Sequence, residues 1–304
     1  MSSTRRFLTH LALLPARLLG HLPLKFGRAL ARPWSPLIER LMKRRRVVVD
    51  RNLELCFPGW SNEQRRAVRQ AHFVQLSEAV AEIAFCWCHR RPLGLDHGRV
   101  VGGEHLEAAR SGGRGVLLVT GHTTCLEIGA RLFAEHVEAR GVYRPLRNPV
   151  LNQFQNRGRA RYGQGMIPRD RLKSMIRHLR AGEVVWYAPD QDFGPDRSAF
   201  VPFFGLSTAT TRGMLDLARL GRARVVPMYP LKDPNSGQVT VQLLPAFDGV
   251  PSQDPESDLL QYNRFLEEQI LKAPAQYWWL HRRFKSAPDG EPDRYADVDP
   301  TSRS

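Results

Sequence analysis

RGVLLVTGHTTCLEIGARLF, residues 114 to 133, is the stretch on which the fold turns. Gly115 to Thr120 is a short apolar run between glycines, the pattern of a strand covered on both faces. Gly121 marks a turn, and Leu126, Ile128, Ala130 and Leu132 continue apolar at the mixed spacing of a following helix. A buried strand thus delivers His122 into a turn, with Glu127 five residues later. On one continuous helix the two would lie about 140° apart. They can meet only if His122 sits in the loop and Glu127 in the first helical turns. Thr124 with Glu127 also reads as a T-x-x-E capping box, a helix-start device that needs no chemistry.

Working outward, strand and helix patterns alternate from Val100 onward. VVGGEHLEAARSGG is followed by GVLLVTG, a helix to about Arg140, GVYRPL, helices near 150–160 and 170–181, EVVWYAP, a helix near 209–220, ARVVPMYP and QVTVQLLP. That order predicts an α/β fold, a mostly parallel or mixed central sheet flanked by helices. In such sheets active sites lie beyond the carboxyl ends of strands, where His122 and the Pro189–Asp192 loop both fall. Upstream, residues 50–90 read as helical, with Ser61 to Gln64 as a helix-start signal. Phe85 to Trp87 at the far end packs in the core or lines an apolar tunnel.

GHTTCLE, with YRPLRNP, RGRARYG, VVWYAPDQDFGP, TATTRG and QYWWLHRRFK after it and RNLELCFPGWS before it, resembles the lipid A late acyltransferases of Gram-negative bacteria over roughly residues 45 to 286. The resemblance implies a glycerolipid-acyltransferase-like fold. It also implies that His122 is the base, that Glu127 is its partner, and that Asp190 and Gln191 help shape the substrate site. The implied reaction moves a fatty acyl group, lauroyl in the best-known member, from acyl carrier protein to a hydroxyacyl chain of a phosphorylated glucosamine disaccharide, the lipid A precursor. The carrier thioester is the donor substrate, and no further cofactor or metal is implied.

The chain has 304 residues, 42% of them hydrophobic, enough for one substantial core, and a net charge of +15. Charge is uneven: residues 1 to 51 hold twelve Lys or Arg against Glu39 and Asp50. Phe7 to Leu24 is leucine-rich, but His10, Pro15, Arg17, His21 and Pro23 interrupt it short of the ~20 apolar residues of a spanning helix. Arg6, His10, Arg17, His21, Lys25 and Arg28 share one third of a helical wheel, which predicts an interfacial segment with a basic stripe, broken by its prolines into a pair of short helices. Packing of the leucines on the catalytic domain is compatible with this. A secretory signal ending near Ala29–Ala31 is the rival, opposed by the charge-broken apolar run and by Lys43 to Arg46, a block that favours the cytoplasmic side. Family members carry a longer apolar segment here, so the chain departs from the pattern. The resulting division is a membrane-associated basic segment over 1–46, an acyltransferase domain over 47–285 and a Pro/Asp/Ser-rich tail over 286–304 expected to be disordered. Anionic inner-membrane lipid, met from the cytoplasmic face, is the expected surface.

Residues 140 to 180 contain eleven Lys or Arg and one acid, Asp170. Arg144 and Arg147 follow a strand, and Arg157, Arg159 and Arg161 alternate across a Gly-containing stretch, so these five are candidates for binding substrate phosphates or the acidic carrier. Arg171, Lys173, Arg177 and Arg180 read as a solvated helix face. No nucleic-acid module accompanies the charge. Asp190 and Asp192 form a D-x-D, which keeps a metal-dependent sugar-nucleotide transferase as the rival enzyme. A non-catalytic basic membrane-surface protein is the third reading. Cys56, Cys86, Cys88 and Cys125 lack disulfide spacing, which points to a reducing compartment, and Cys86-Trp87-Cys88-His89 lacks zinc spacing. Cys125 beside His122 is an alternative nucleophile. The oxyanion is left to backbone N–H groups at the helix start or to a nearby arginine.

Overall fold

The computed structural model describes residues 3–298, with side chains from Leu8 onward. Six helices lead the chain: α1 (Ser3–Ala12), α2 (Leu14–Leu19), α3 (Leu24–Ala31), α4 (Ser35–Leu41), α5 (Lys43–Cys56) and the long α6 (Asn62–Cys88). The α/β alternation then runs β1 (Gly98–Val101), α7 (Gly103–Arg110), β2 (Val116–Val119), α8 (Leu126–Ala134), β3 (Ala139–Tyr143), α9 (Pro149–Arg159), β4 (Met166–Pro168), α10 (Leu172–Arg180) and β5 (Val184–Tyr187). After it come β6 (Ser198–Phe203), β7 (Leu206–Thr211), α11 (Gly213–Gly221), β8 (Arg224–Lys232), β9 (Val239–Leu243) and α12 (Pro255–Lys272).

The central sheet has seven strands in the order β1-β9-β8-β2-β5-β3-β4. β8, β2, β5, β3 and β4 are parallel, while β9 is antiparallel to β8 and carries β1 parallel to itself. The sheet is therefore mixed and mostly parallel, as the alternation predicts. β2 lies between β5 and β8, and all four of its side chains are buried. Leu117 and Val119 enter one core with α5, α11 and α12; Val116 and Leu118 enter the other with α7 and α8. Each such side chain contributes about 1.5–3 kcal/mol on burial. That two-sided burial explains an apolar run without alternation.

Three expectations change on contact with the structure. The region near 209–220 is not all helix, because Ser198 to Thr211 forms the β6/β7 hairpin, which only α11 follows. Its two-residue turn has Phe204 at φ 49° and Gly205 at φ 76°, the pair of left-handed residues that suits strand twist, and Thr208, Thr210 and Thr211 fit the pleat. The tail expected to be disordered packs as far as it is described: Tyr295 is buried, its hydroxyl donating to Asn52 Oδ1 at 2.5 Å. Residues 299–304 of that tail lie outside the described residues. Finally, α5 runs straight through position 46, so one helix joins the N-terminal segment to the catalytic domain.

The N-terminal segment breaks at its prolines, giving three short helices rather than two: Pro15 opens α2 and Pro23 caps α3. Arg28 is not part of an exposed basic stripe. It is buried on α3, donating from Nε to Glu82 Oε1 at 2.8 Å and from Nη1 to the Gly237 carbonyl at 2.6 Å. Arg32 pairs with Glu78, and Lys232 Nζ reaches Glu78 and Glu82 at 2.7 Å each. Charges this deep must be paired, and losing one partner costs about 3–5 kcal/mol. Among the described residues no helix is long and apolar enough to cross a membrane. The helix-start signal at Ser61 takes the form of a capping box, with Ser61 and Gln64 each bonding the other's backbone N–H at 3.1 and 2.8 Å.

Candidate active site

The register of β2 against β5 pairs Val119 with Tyr187. His122 is three residues beyond the first and Asp190 three beyond the second, so two adjacent parallel strands release them at the same height. Gly121 makes the turn possible: a Cβ there would lie 2.4 Å from Leu266 Cδ1. Both oxygens of Asp190 go to His122, Oδ2 accepting the backbone N–H at 2.7 Å and Oδ1 meeting Nδ1 at 2.5 Å.

Asp190 is 2% exposed and the His122 side chain 30%. Burial opposes the charge on Asp190, but the facing imidazole and its hydrogen bonds outweigh it and hold the carboxyl below its usual range. Burial likewise disfavours imidazolium, and Asp190 more than compensates, so His122 titrates above an ordinary histidine. A carboxylate only accepts, so neutral His122 carries its proton on Nδ1 and presents the Nε2 lone pair. Among the described residues Nε2 has no protein partner, and His122 lines a cavity with about 720 Å³ of empty space, its open mouth included.

Glu127 lines the same cavity and is not the residue that holds the imidazole. Its Oε1 accepts from Trp87 Nε1 at 2.5 Å, Tyr162 Oη at 2.7 Å and Arg159 Nε at 2.9 Å, and its Oε2 accepts from Arg159 Nη2 at 2.5 Å. Burial raises the Glu127 carboxyl, but Arg159 and the other donors outweigh it and keep the group below its usual range. The guanidinium is correspondingly held charged. The capping box does not form: α8 starts at Leu126 without a side-chain cap, and the buried Thr124 hydroxyl has no hydrogen-bond partner.

Gly158 brings Arg159 to this carboxylate. A Cβ there would meet Trp87 Cβ at 2.5 Å, so glycine lets α9 close on the end of α6. Residues two apart on a helix differ by about 200°; Arg157 accordingly faces out, beside a groove lined by His10, Asn152 and Asn156. Arg161 donates from Nη1 to the Trp87 and Cys88 carbonyls, so part of its guanidinium caps α6. Arg144 and Arg147 are exposed on the loop after β3, and Gln191 is half-buried beside Asp190. Trp87 ends on Glu127 rather than in the cavity wall, and Tyr162 completes the carboxylate's shell.

The D-x-D is split between two jobs. Asp192 accepts the Ser286 N–H at 2.7 Å and its hydroxyl at 3.0 Å, while Asp190 serves His122. Burial holds the His281 imidazole down at about 4, and its Nε2 accepts the Asp192 N–H at 2.9 Å. Cys125 is fully buried, and burial pushes its thiol up to about 11, which leaves no thiolate for nucleophilic attack at neutral pH. Most of the remaining cavity wall is apolar, from Leu126, Ala130 and Phe133 on α8, Val142 on β3, Met166 on β4 and Trp186 on β5, with Thr120 the polar exception. A base, a fixed guanidinium and an apolar sleeve thus share one mouth, as a reaction on the head of an aliphatic chain requires.

The family model for bacterial lipid A biosynthesis acyltransferase matches residues 1–286. The chain is 42% identical over 259 residues, 84% of each chain, to the lipid A biosynthesis lauroyltransferase of Escherichia coli K12. It is 34% identical over 283 residues, 93% of this chain and 90% of the relative, to the palmitoleoyltransferase of the same organism. A solved 1-acyl-sn-glycerophosphate acyltransferase from Thermotoga maritima aligns at 13% identity over 82% of this chain and 98% of its own, with a TM-score of 0.38.

Proposed function

This chain belongs to the bacterial lipid A biosynthesis acyltransferases, and we propose that it moves a lauroyl-sized acyl group from acyl carrier protein to the hydroxyl of a hydroxyacyl chain on a phosphorylated glucosamine disaccharide precursor of lipid A. The observation that carries the reading is His122, its Nδ1–H directed to buried Asp190 and its Nε2 open to an apolar cavity that also holds Arg159.

In the proposed step, Nε2 takes the acceptor hydroxyl proton as that oxygen attacks the thioester carbonyl. Asp190 balances the imidazolium. The tetrahedral oxyanion forms opposite Arg159, whose Nη1 remains free of Glu127. Collapse breaks the carbon–sulfur bond, and the departing carrier thiolate takes the proton from His122, leaving an ester and a free thiol. Glu127 acts in this reading by fixing Arg159. The reaction draws on no cofactor. The acyl chain occupies the sleeve between α8, β3 and β4, while the exposed Arg144, Arg147 and Arg157 attract phosphate or the acidic carrier.

Leu8, Leu11, Leu14, Leu18, Phe26, Leu30, Trp34 and Leu41 are exposed along the N-terminal helices. An apolar row on this scale, flanked by Arg17, Lys25 and Lys43 to Arg46, is the reason to seat the enzyme on anionic lipid at the cytoplasmic face of the inner membrane. Incubating the purified protein with lipid A precursor and a panel of acyl carrier protein thioesters, read by mass spectrometry, tests the proposal. One added lauroyl mass that disappears in His122→Ala is the expected result. No mass gain with any donor, or a gain indifferent to His122, would sink it.

A further inference from the structure

The QYWWLHRRF segment contributes no group to the chemistry above, yet it holds the backbone that carries His122. Trp278 N–H donates to the His122 carbonyl at 3.0 Å, and Thr124 N–H to the Gln276 carbonyl at 2.8 Å. Thr123 and Tyr277 form an antiparallel bridge between those bonds. Residues 276–278 are thus a strap laid along the histidine turn, residue against residue.

What fixes the strap is the Gln276 side chain. It is buried, its Oε1 accepting the Lys232 N–H at 2.9 Å and its Nε2 donating to the Lys232 carbonyl at 2.6 Å. A side-chain amide here completes a two-bond pair with the last residue of β8. Lys232 is itself immobilised, its ammonium held by Glu78 and Glu82 and, through them, by Arg28 and Arg32 of the N-terminal segment. Farther along, Asn52 Nδ2 donates to the Trp279 and His281 carbonyls at 2.8 Å each, closing the other end of the strap. A turn residue that is 30% exposed gets little positional constraint from its own packing. Asp190 holds its ring and backbone N–H, and the strap holds the carbonyl side of the turn.

We propose that Gln276 is a positioning residue for acyl transfer: by tying the strap to β8 it sets the height of the His122–Thr124 turn, and so of Nε2, at the cavity mouth. The inference rests on the acyl-transfer reading of His122. A displacement of about 1 Å in a reacting group can cost ~10²-fold in rate. The substrate sites do not touch Gln276, so the loss belongs in kcat and not in KM.

The test uses the full chain with Gln276→Met, which keeps the volume and removes both bonds, and Gln276→Asn, which keeps both bonding groups one carbon short. Rates are expressed per folded molecule, from thermal melts of the same samples. Both variants should lose about 10- to 10²-fold in kcat with KM within about threefold. The acid limb of the pH–rate profile should also move to lower pH, because a displaced imidazole loses part of its contact with Asp190. Unchanged kcat per folded molecule, or an unmoved acid limb in both variants, would overturn the proposal. If the Met variant does not fold, the Asn variant decides by the same readouts. Wild-type protein that adds no acyl mass would defeat the underlying reaction instead, a separate outcome.

Discussion

Two buried carboxylates flank the same cavity, and they are arranged for opposite purposes. Asp190 gives both oxygens to one residue, His122, whose charge changes at accessible pH. Glu127 gives its oxygens to three residues, one of them an arginine that is never neutral. The first pair can register a proton; the second can only hold a shape. A carboxylate's role here follows from the titration of its partner, not from its own burial, which the two share.

The comparison is broken most severely by removing its moving part. His122→Ala should cost about 10²–10⁴-fold in kcat and also lower the melting temperature, because it leaves the buried Asp190 carboxylate without its ring partner. A fall in turnover that merely tracked unfolding would contradict the assignment. Asp190→Asn should follow, with a loss of at least ~10²-fold, because an amide can stabilise the wrong tautomer and cannot balance imidazolium. Its residual activity carries a sharper signature. Asp190 raises the His122 value, so without it the acid limb of the pH–rate profile moves down. An unmoved limb would separate the two residues.

Glu127→Gln should behave differently. It leaves Arg159 with an incomplete counter-charge in a mostly buried wall, and the expected result is a stability loss of about 3 kcal/mol with roughly tenfold lower kcat and an acid limb where the wild type has it. A limb shifted as far as that of Asp190→Asn would erase the distinction drawn above. Smallest of all are the changes at the exposed arginines. Arg144→Gln, Arg147→Gln and Arg157→Gln should each raise KM about two- to fivefold at low ionic strength, with the difference fading in salt. Arg161→Gln, by contrast, should also lower the melting temperature, because its Nη1 caps α6.

The pH dependence of stability distinguishes the pairs as well. His122 is raised in the folded state, so its contribution is complete below the ordinary imidazole value and is lost as pH rises through the folded value. Asp190 and Glu127 are depressed, so theirs is present above the ordinary carboxyl value and is lost as pH falls through the folded values. Only the Asp190 pair loses stability at both ends, which melts of Asp190→Asn against wild type across pH should display.

Much of the frame is legible in the residues. The unalternating apolar run of β2, the turn at Gly121 and the acid in the first turn of α8 are local patterns, and local sterics and burial are enough to write them. The Ser61 capping box and the proline breaks of the N-terminus belong to the same class. The β6/β7 hairpin was available too, in the Phe204-Gly205 pair between SAFVPF and the threonine-rich LSTATT, but a run of small β-branched residues before Gly213 also resembles a helix entry. The buried Tyr295 runs against a tail composition rich in Pro and Asp, since one aromatic anchor outweighs its polar neighbours.

The sequence by itself determined most of the elements, the family resemblance, and that His122 and the loop carrying Asp190 leave strand ends at one mouth. It could not say who meets whom. Whether Glu127 or Asp190 takes the imidazole depends on β5 lying beside β2 in a register that pairs Tyr187 with Val119, a contact between residues 68 apart. Arg28 reads as surface charge until α3 meets Glu82, and Gln276 reads as one polar residue among aromatics until β8 meets the strap. Pairing of this kind is a property of packing: a charged or amide side chain has many candidate partners along a chain, and only burial, which makes an unmet one costly, selects among them.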